Sequence, residues 1–485
     1  MTNFISVISI IENYTQTVGL TSKSVKIKLT LILALFLLGL SCQEDIVVNH
    51  TIVSNGNIID VKTGEILEHR DIWINKDKIL KITHHDKDLR TTDTLIDASN
   101  KYIIPGLWDM HAHLWGKDWV LDRYTALGIT GLRCMHGSDK GIEDIKKNRK
   151  DGFYRGFEFL YSSPITDGPG ETWPGARVAS NPEEGRKLVR EYYEKGYDFV
   201  KVYNFLSYET YQAIADECKK LDFKFAGHLP LQVTAEEGIL AGQKSIEHSI
   251  GLEHGIADYK SFINTHKDLD INTYTEAFLE AFDSNLKDNI LTITKSENTW
   301  FCPTLSLLKS YIVNEEIDSI FKHDPRLKYI PKEEQEYWFG DITEDGAPSY
   351  LVASKESSEV EKVFFELTMS YLKPMLDNGS KFLAGTDTSN PNIYPGFTLH
   401  DELALFVKAG FTELEALQTA TLNPAIYVER EDELGTIEEG KTANILILDK
   451  NPMKNIENTL TISGLVQRGQ YLSKTELNKL LNTKD

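Results

Sequence analysis

The chain has 485 residues, of which 41% are hydrophobic and 26% charged, a composition typical of a globular protein. This length is too great for one small core and suffices for a barrel with a smaller module. The formal charge of −21, without a large cluster of lysine or arginine, argues against nucleic-acid binding, which needs a basic surface.

The N-terminal segment has the pattern of an export signal. Three lysines between positions 23 and 28 precede the apolar run 29–38, which is too short for a transmembrane helix of about 20 residues. The run ends in Leu38-Gly39-Leu40-Ser41-Cys42, which resembles a bacterial lipoprotein cleavage box with Cys42 as the lipidated residue. Residues 1–42 are therefore predicted to be an extension and a lipoprotein-type signal peptide; the alternative is an ordinary signal peptide with a chance cysteine.

These features predict an exported protein with a lipid anchor, periplasmic or at the cell surface, on a bacterial membrane and by preference the outer one. Three further cysteines, Cys134, Cys218 and Cys302, are an odd and widely spaced set. Such a set is neither a disulfide framework nor a Cys-x-x-Cys zinc pair. They are predicted to be small buried apolar residues.

Short strands and turns are predicted from residue 49 to residue 105. The pair Asn55-Gly56 indicates a hairpin, and a second turn is expected at 75–78. Because so small a sheet buries little by itself, its expected partner is the apolar segment near the other end of the chain. Residues 49–105 and 430–475 are thus predicted to form one small, discontinuous β-sandwich domain.

Between these segments strand-like and helix-like stretches alternate, which predicts the α/β class and a parallel (β/α)8 TIM barrel over residues 106–429. Capping-box patterns, at Thr234 with Glu237 and at Thr412 with Glu415, mark two helix starts. The apolar stripe that includes Phe364 is predicted to be core packing on a helix. The candidate strands are 128–133, 157–160, 199–203, 224–228, 245–248, 300–305 and 381–387.

A long insertion is predicted at about residues 253–345. It is acidic and in places aromatic, with Tyr329, Tyr337, Trp338 and Phe339. Long insertions at the C-terminal face of a barrel often shape its site, but they also occur as helical decoration, and the sequence leaves both interpretations open.

The histidine pair His111-Ala112-His113 ends an apolar run, and alternate residues of a strand share a face, so both imidazoles can hold one metal ion. His228 and His248 each end a later strand-like run, and Asp387 ends the last one. Because active sites of parallel barrels lie at the C-terminal strand ends, these side chains are expected to converge. Asp387 can bind metal and also move a proton to and from the reacting water as general base.

Lys201 shares a strand face with Phe199 and Tyr203. In a barrel interior an unpaired ammonium is costly, so Lys201 either pairs with an aspartate or carries a carboxylated amine able to bridge two cations. Tyr203 and His136 are weaker candidates for substrate contact, with structural hydrogen bonds as the alternative. His400 is predicted to be structural.

Together these motifs resemble the amidohydrolase superfamily, in the branch similar to imidazolonepropionase and to bacterial dipeptidases of the prolidase type. The resemblance covers about residues 49 to 475. The motifs that carry it are Pro105-Gly106-Leu107-Trp108-Asp109-Met110-His111-Ala112-His113, Val200-Lys201-Val202, Gly227-His228, Glu247-His248 and Gly385-Thr386-Asp387.

The resemblance implies a metal-dependent hydrolase of carbon–nitrogen bonds that acts on a small-molecule substrate such as a cyclic amide, a dipeptide or an N-acyl amino acid. It implies that His111, His113 and Asp387 hold the more buried metal, that His228 and His248 hold the second, and that carboxylated Lys201 bridges the two. Zinc is expected, with manganese or cobalt as alternatives.

Two other functions stay open from the sequence: a mononuclear deaminase or cyclic-amide hydrolase with unmodified Lys201, and a catalytically silent binding lipoprotein. Whether the protein forms a homo-oligomer is also left open. The segment after Lys201, Tyr203-Asn204-Phe205-Leu206-Ser207, departs from the glycine-rich segment of many relatives, so dipeptidase activity does not follow from the motifs.

Overall fold

A computed structural model of the chain describes residues 50–88, 94–114, 117–150, 153–170, 172–266, 269, 271–296, 298–312, 321–339 and 349–483. The predicted signal peptide and the lipidation site Cys42 lie outside these residues. Within them, no helix combines the length and the hydrophobicity needed to span a bilayer.

The described residues form strands that alternate with helices along most of the chain. The strands are β1 (Thr51–Ile59), β2 (Ile66–Asn75), β3 (Lys78–His84), β4 (Thr94–Asp97), β5 (Tyr102–Pro105), β6 (Leu107–Ala112), β7 (Ile129–Cys134), β8 (Phe153–Tyr154), β9 (Phe157–Asp167), β10 (Arg177–Val178), β11 (Phe199–Val202), β12 (Lys224–Gly227), β13 (Ser245–Glu247), β14 (Trp300–Cys302), β15 (Lys381–Phe382), β16 (Ile445–Leu448), β17 (Ile462–Gln467) and β18 (Gln470–Ser473).

The α-helices are α1 (Trp119–Ala126), α2 (Asp139–Asn148), α3 (Pro182–Lys195), α4 (Tyr208–Lys220), α5 (Ala235–Ala241), α6 (Tyr259–His266), α7 (Ile271–Ala281), α8 (Lys287–Thr294), α9 (Leu305–Ser310), α10 (Lys332–Phe339), α11 (Ser349–Asp377), α12 (Phe397–Lys408), α13 (Glu413–Thr419), α14 (Leu422–Tyr427) and α15 (Lys474–Leu481). Both predicted capping boxes are present, at the starts of α5 and α13. The three described cysteines are buried and free, as predicted.

Parallel strands follow one another in the larger sheet in the order β6, β7, β9, β11, β12, β13, β14 and β15. The segment after β15 returns to β6: the Met110 N–H donates to the Ala384 carbonyl at 2.9 Å, and the Asp387 N–H donates to the His111 carbonyl at 2.8 Å. The sheet therefore curls back on itself as an α/β barrel, as the alternation of strands and helices predicted.

The apolar run that begins at Tyr102 is divided between two sheets. β5 ends at Pro105 and pairs with β1 and β16, whereas β6 begins at Leu107 and pairs with β7 of the barrel. Gly106 stands at the break, where a Cβ atom would lie 2.3 Å from the Thr130 hydroxyl. Every residue of β6 is buried, as expected for a barrel strand covered on both faces.

The smaller sheet uses strands from both ends of the described chain. Its strands pair along one path, β18-β17-β16-β5-β1-β2-β3, with β4 beside β1. Because this is a single sheet, the predicted sandwich of two packed sheets stays a prediction.

The hairpin predicted at Asn55-Gly56 is wrong. β1 runs through both residues and stays paired with β2, with register shifts around Gly56. Asn55 takes a left-handed conformation with φ of 60°, and its N–H donates to Asp71 of β2 at 2.8 Å. The left-handed preference of Asn-Gly is therefore used for a β-bulge inside a strand, which local sequence does not distinguish from a hairpin.

Candidate metal centre

The structure places the six predicted ligands around one cavity. They lie at or just beyond the C-terminal ends of barrel strands and line a cavity of about 520 Å³. They are His111 and His113 at the end of β6, Lys201 in β11, His228 after β12, His248 after β13 and Asp387 after β15. Residues up to 276 positions apart in sequence thus meet because parallel strands share one C-terminal edge.

Asp387 lies at the centre of this group. One carboxylate oxygen is 2.8 Å from Nε2 of His113 and 3.6 Å from Nε2 of His111, and the other oxygen is 3.7 Å from Nε2 of His248. The His228 ring lies 4.6 Å from the His248 ring, centroid to centroid. Burial opposes ionisation of Asp387, but its interactions with His113, His248 and Lys201 hold its pKa below the usual value.

Three of the histidines are oriented from behind by the protein. The Nδ1 atom of each lies 2.7–2.8 Å from a protein oxygen, in the pairs His111 with Glu247, His228 with Asn204, and His248 with Thr304. An Nδ1–H that donates to such an oxygen leaves the Nε2 lone pair for a metal ion. His248, Thr304 and Asp387 also have left-handed backbones, with φ of 65°, 47° and 62°, a conformation that is uncommon for non-glycine residues.

The Glu247 carboxylate is held by Arg133, a residue that the sequence analysis did not single out. Arg133 is completely buried, and its Nη2 donates to both Glu247 oxygens at 2.9 and 2.8 Å. Its Nη1 donates to Ser245 and to Tyr427. An arginine within the strand-like run Ile129–Cys134 was the available signal, because a charge buried in a barrel strand needs a partner.

Lys201 is buried, with 1% of its surface exposed. Among the described residues, no atom accepts a hydrogen bond from its Nζ. Burial lowers the pKa of Lys201 to about 8. An ammonium in this position is costly, so Lys201 loses its proton, and becomes available for carboxylation, more easily than an exposed lysine does.

The donor set fits a divalent metal. Nε2 of His111 and Nζ of Lys201 are buried atoms that find no hydrogen-bond partner within the described part of the chain. The ligand atoms of His111, His248 and Asp387 lie within 4.8 Å of one another. Nitrogen and oxygen ligands of this kind suit zinc, manganese or cobalt. A second grouping, His111 with Glu247 and Cys302, fits poorly because Arg133 already occupies both Glu247 oxygens.

The two weaker candidates differ in position. Tyr203 lines the cavity, and its ring lies 4.0 Å from the His228 ring. His136 is not among the residues that line this cavity; its Nδ1 accepts from the Ile165 N–H, and its Nε2 lies 3.2 Å from the Pro174 carbonyl. The geometry of His136 therefore favours the structural alternative.

Part of the insertion forms the outer wall of the cavity. Tyr259 of α6 and Tyr274 and Phe278 of α7 line it, which favours the interpretation that the insertion shapes the site. Phe364 of α11 also lines it, so the prediction of core packing alone was incomplete for that residue.

By contrast, Trp338 is buried against Tyr394, away from the cavity.

Comparisons with known proteins identify the family of the chain. Residues 102–472 match the model of the amidohydrolase family. An imidazolonepropionase of Thermoanaerobacter pseudethanolicus is 32% identical over 87 residues, 18% of this chain, and the match spans only 21% of that relative's length. A dihydroorotase of Carboxydothermus hydrogenoformans is 21% identical over 448 residues, 87% of this chain and 94% of the relative.

The fold also matches solved structures. One from Bifidobacterium longum, described as a prolidase, superposes with a TM-score of 0.65 at 20% identity, over 90% of this chain and 98% of that one. At this level of identity the match concerns the fold alone.

Proposed function

The chain belongs to the amidohydrolase family, and on that premise we propose that it is a metal-dependent hydrolase of carbon–nitrogen bonds in amides or cyclic amides. The observation that carries the proposal is the position of Asp387, whose carboxylate faces the Nε2 atoms of three histidines at 2.8 to 3.7 Å. A carboxylate in this position can serve both as a metal ligand and as a general base.

The proposed ligands divide into two sets. His111, His113 and Asp387 would hold the more buried cation, His228 and His248 would hold the second, and Lys201, carboxylated on its amine, would be a ligand shared by the two. When bound, the cations supply Lewis acidity toward the scissile carbonyl and lower the pKa of a coordinated water. The buried Nζ of Lys201, which has no hydrogen-bond partner among the described residues, and the Asp387 carboxylate between three histidines support this division.

The chain's own residues carry the proton. Asp387 accepts a proton from the attacking water as the water oxygen bonds to the carbonyl carbon. It then passes that proton to the leaving nitrogen as the C–N bond breaks, so that the products are an acid and an amine. Glu247, fixed by Arg133, keeps the His111 ring oriented throughout.

Elemental analysis of the purified protein, combined with native intact mass, tests the metal part of this proposal. We expect about two divalent metal ions per chain and the added mass of one carbon dioxide on Lys201. Hydrolysis of a panel of cyclic amides, dipeptides and N-acyl amino acids, with and without chelator, tests the reaction. One metal with unmodified lysine would indicate the mononuclear deaminase or cyclic-amide chemistry instead, and no metal after supplementation would overturn the proposal.

We also propose that Cys42 carries a lipid and anchors the enzyme to a bacterial membrane after export. The support is the order of a basic stretch, an apolar run and a cysteine in residues 23–42. Metabolic labelling with a fatty acid, compared between the native chain and Cys42→Ala, tests this; label retained by the variant would overturn it.

A further inference from the structure

Carboxylates outnumber lysine and arginine side chains among the described residues that line the cavity around the metal centre. The described residues that line it include four carboxylates, Glu247, Glu253, Glu361 and Asp387. The same residues include one lysine, Lys201, and no arginine. Bound cations would balance the negative charges of Asp387 and of a carboxylated Lys201. A substrate with a free carboxylate away from the scissile bond would find no cationic partner among these residues.

Three of the four carboxylates already have partners. Glu247 is paired with Arg133, and Asp387 belongs to the metal centre. Glu253 accepts the Ala235 N–H at the start of α5 at 2.7 Å. Glu361 differs: among the described residues, none forms a hydrogen bond or an ion pair with its carboxylate.

Glu361 faces an aromatic environment. It lies on α11 three residues before Phe364, and both line the cavity with Tyr259, Tyr274, Phe278 and Tyr311. Burial, followed by the charges of Asp387, Tyr203 and Glu361, raises the pKa of the Tyr311 phenol, which lines the same cavity. Burial raises the pKa of Glu361 itself to about 6, so that the group is mostly ionised at neutral pH.

We propose that Glu361 binds a protonated amine of the substrate, and that the cavity accepts apolar amides that carry such a cationic group. The apolar and aromatic walls hold the body of the molecule and favour an ammonium through their ring faces. The carboxylate at Glu361 then forms the charge-assisted hydrogen bond that fixes the cationic end. This inference rests on the proposed function, since it names the substrate class of the same cavity.

The test is a binding experiment that does not depend on turnover. Linear primary amines from butylamine to octylamine, and the n-alcohols of equal length, are titrated calorimetrically into metal-loaded protein at pH 7.5. Each alcohol reports the burial of its carbon chain alone. Three proteins are compared: the native chain, Glu361→Gln, and Glu366→Gln, a matched change at an exposed position of the same helix.

We expect the best amine to bind the native protein about tenfold or more tighter than its alcohol, the factor that a hydrogen bond to a charged group supplies. The ratio should fall to about one in Glu361→Gln and persist in Glu366→Gln. An amine bound by the metal instead would keep its advantage in Glu361→Gln, and that result would overturn the proposal. Equal binding of amine and alcohol by the native protein would do the same.

These outcomes are separate from those of the proposed function. A protein that binds amines through Glu361 but hydrolyses no amide would refute the reaction while leaving the cationic subsite in place. A protein that hydrolyses amides but shows no preference for amines would refute the subsite alone.

Discussion

At the residue scale, the metal centre depends on side chains that hold each other in one orientation. The imidazole of His111 donates to Glu247, and Arg133 holds that glutamate with two hydrogen bonds. Because Nδ1 of His111 carries the proton that Glu247 accepts, the lone pair on Nε2 is directed toward Asp387. The ligands and the residues behind them act as one unit, so changes at either level should be measurable.

Asp387→Asn should lower kcat by about a hundredfold to ten-thousandfold, because the amide cannot accept the proton of the attacking water. Steady-state kinetics on any substrate of the panel measures this. Asp222→Asn is the matched control, since Asp222 has a similar left-handed backbone, with φ of 49°, on an exposed turn. Activity retained by Asp387→Asn would contradict the role of general base.

Glu247→Gln should weaken metal binding by about tenfold to a hundredfold, because the His111 ring loses its charged acceptor and Arg133 loses its partner. Competition with a chromophoric chelator measures the affinity. Glu402→Gln is the control: this glutamate is also completely buried, but it accepts hydrogen bonds from Leu305 and Ser306 of α9. Equal affinity in the native chain and Glu247→Gln would show that orientation of His111 does not limit binding.

At the element scale, the barrel closes between β6 and the segment that follows β15. Asp109 of β6 is buried there and accepts hydrogen bonds from the Thr386 N–H at 3.0 Å and the Thr386 hydroxyl at 2.6 Å. The Tyr124 hydroxyl of α1 donates to the same carboxylate at 2.6 Å. The Asp109 side chain thus connects β6, the segment after β15 and α1 at the residue next to Asp387.

Asp109→Ala should lower the free energy of unfolding by about 3 kcal/mol or more, because it leaves several buried donors of Thr386 and Tyr124 without an acceptor. Urea unfolding followed by tryptophan fluorescence measures the change. Tyr124→Phe removes one donor and its hydrogen bond, and should cost about 1 kcal/mol. If Asp109→Ala lowered the free energy of unfolding by less than Tyr124→Phe does, Asp109 would not be the residue that stabilises the closure of the barrel.

At the scale of the whole molecule, His400 connects distant parts of the chain. It lies completely buried in α12, with Nδ1 2.8 Å from the Thr459 hydroxyl and Nε2 3.0 Å from the Leu127 carbonyl after α1. Burial lowers its pKa from 6.5 to about 4. The structural role predicted for His400 agrees with these contacts.

This histidine should make stability depend on pH. Between pH 6.5 and about 4, His400 binds a proton in the unfolded chain but not in the folded chain. The free energy of unfolding therefore has its full value above pH 6.5 and decreases as the pH falls toward 4. The loss should amount to about 3 kcal/mol for the single group. Urea midpoints from pH 4.5 to 7.5 should fall less steeply toward acid in His400→Gln than in the native chain. His84→Gln, at an exposed position of β3, is the control, and an unchanged slope in His400→Gln would contradict the assignment.

Local patterns in the sequence predicted the barrel and six of the side chains that meet in it. A histidine or aspartate at the end of a strand-like run lies at the C-terminal edge of a parallel sheet. Its place in the site can therefore be predicted before any distance between the side chains is known. The capping boxes at Thr234 and Thr412 were equally local and were equally well predicted. Asn55-Gly56 was not, because a bulge and a hairpin use the same left-handed backbone.

The sequence by itself determined the order of strands and helices, the acidic character of the chain and the chemistry of the candidate ligands. Only the tertiary structure decided which residues support those ligands and which line the cavity. Arg133 meets Glu247 across 114 positions, and Glu361 and Phe364 reach the cavity of His111 from a helix some 250 positions away. These contacts depend on how whole helices and strands pack together. The hydrophobic periodicity of the sequence around each residue predicts its secondary structure but not such distant contacts.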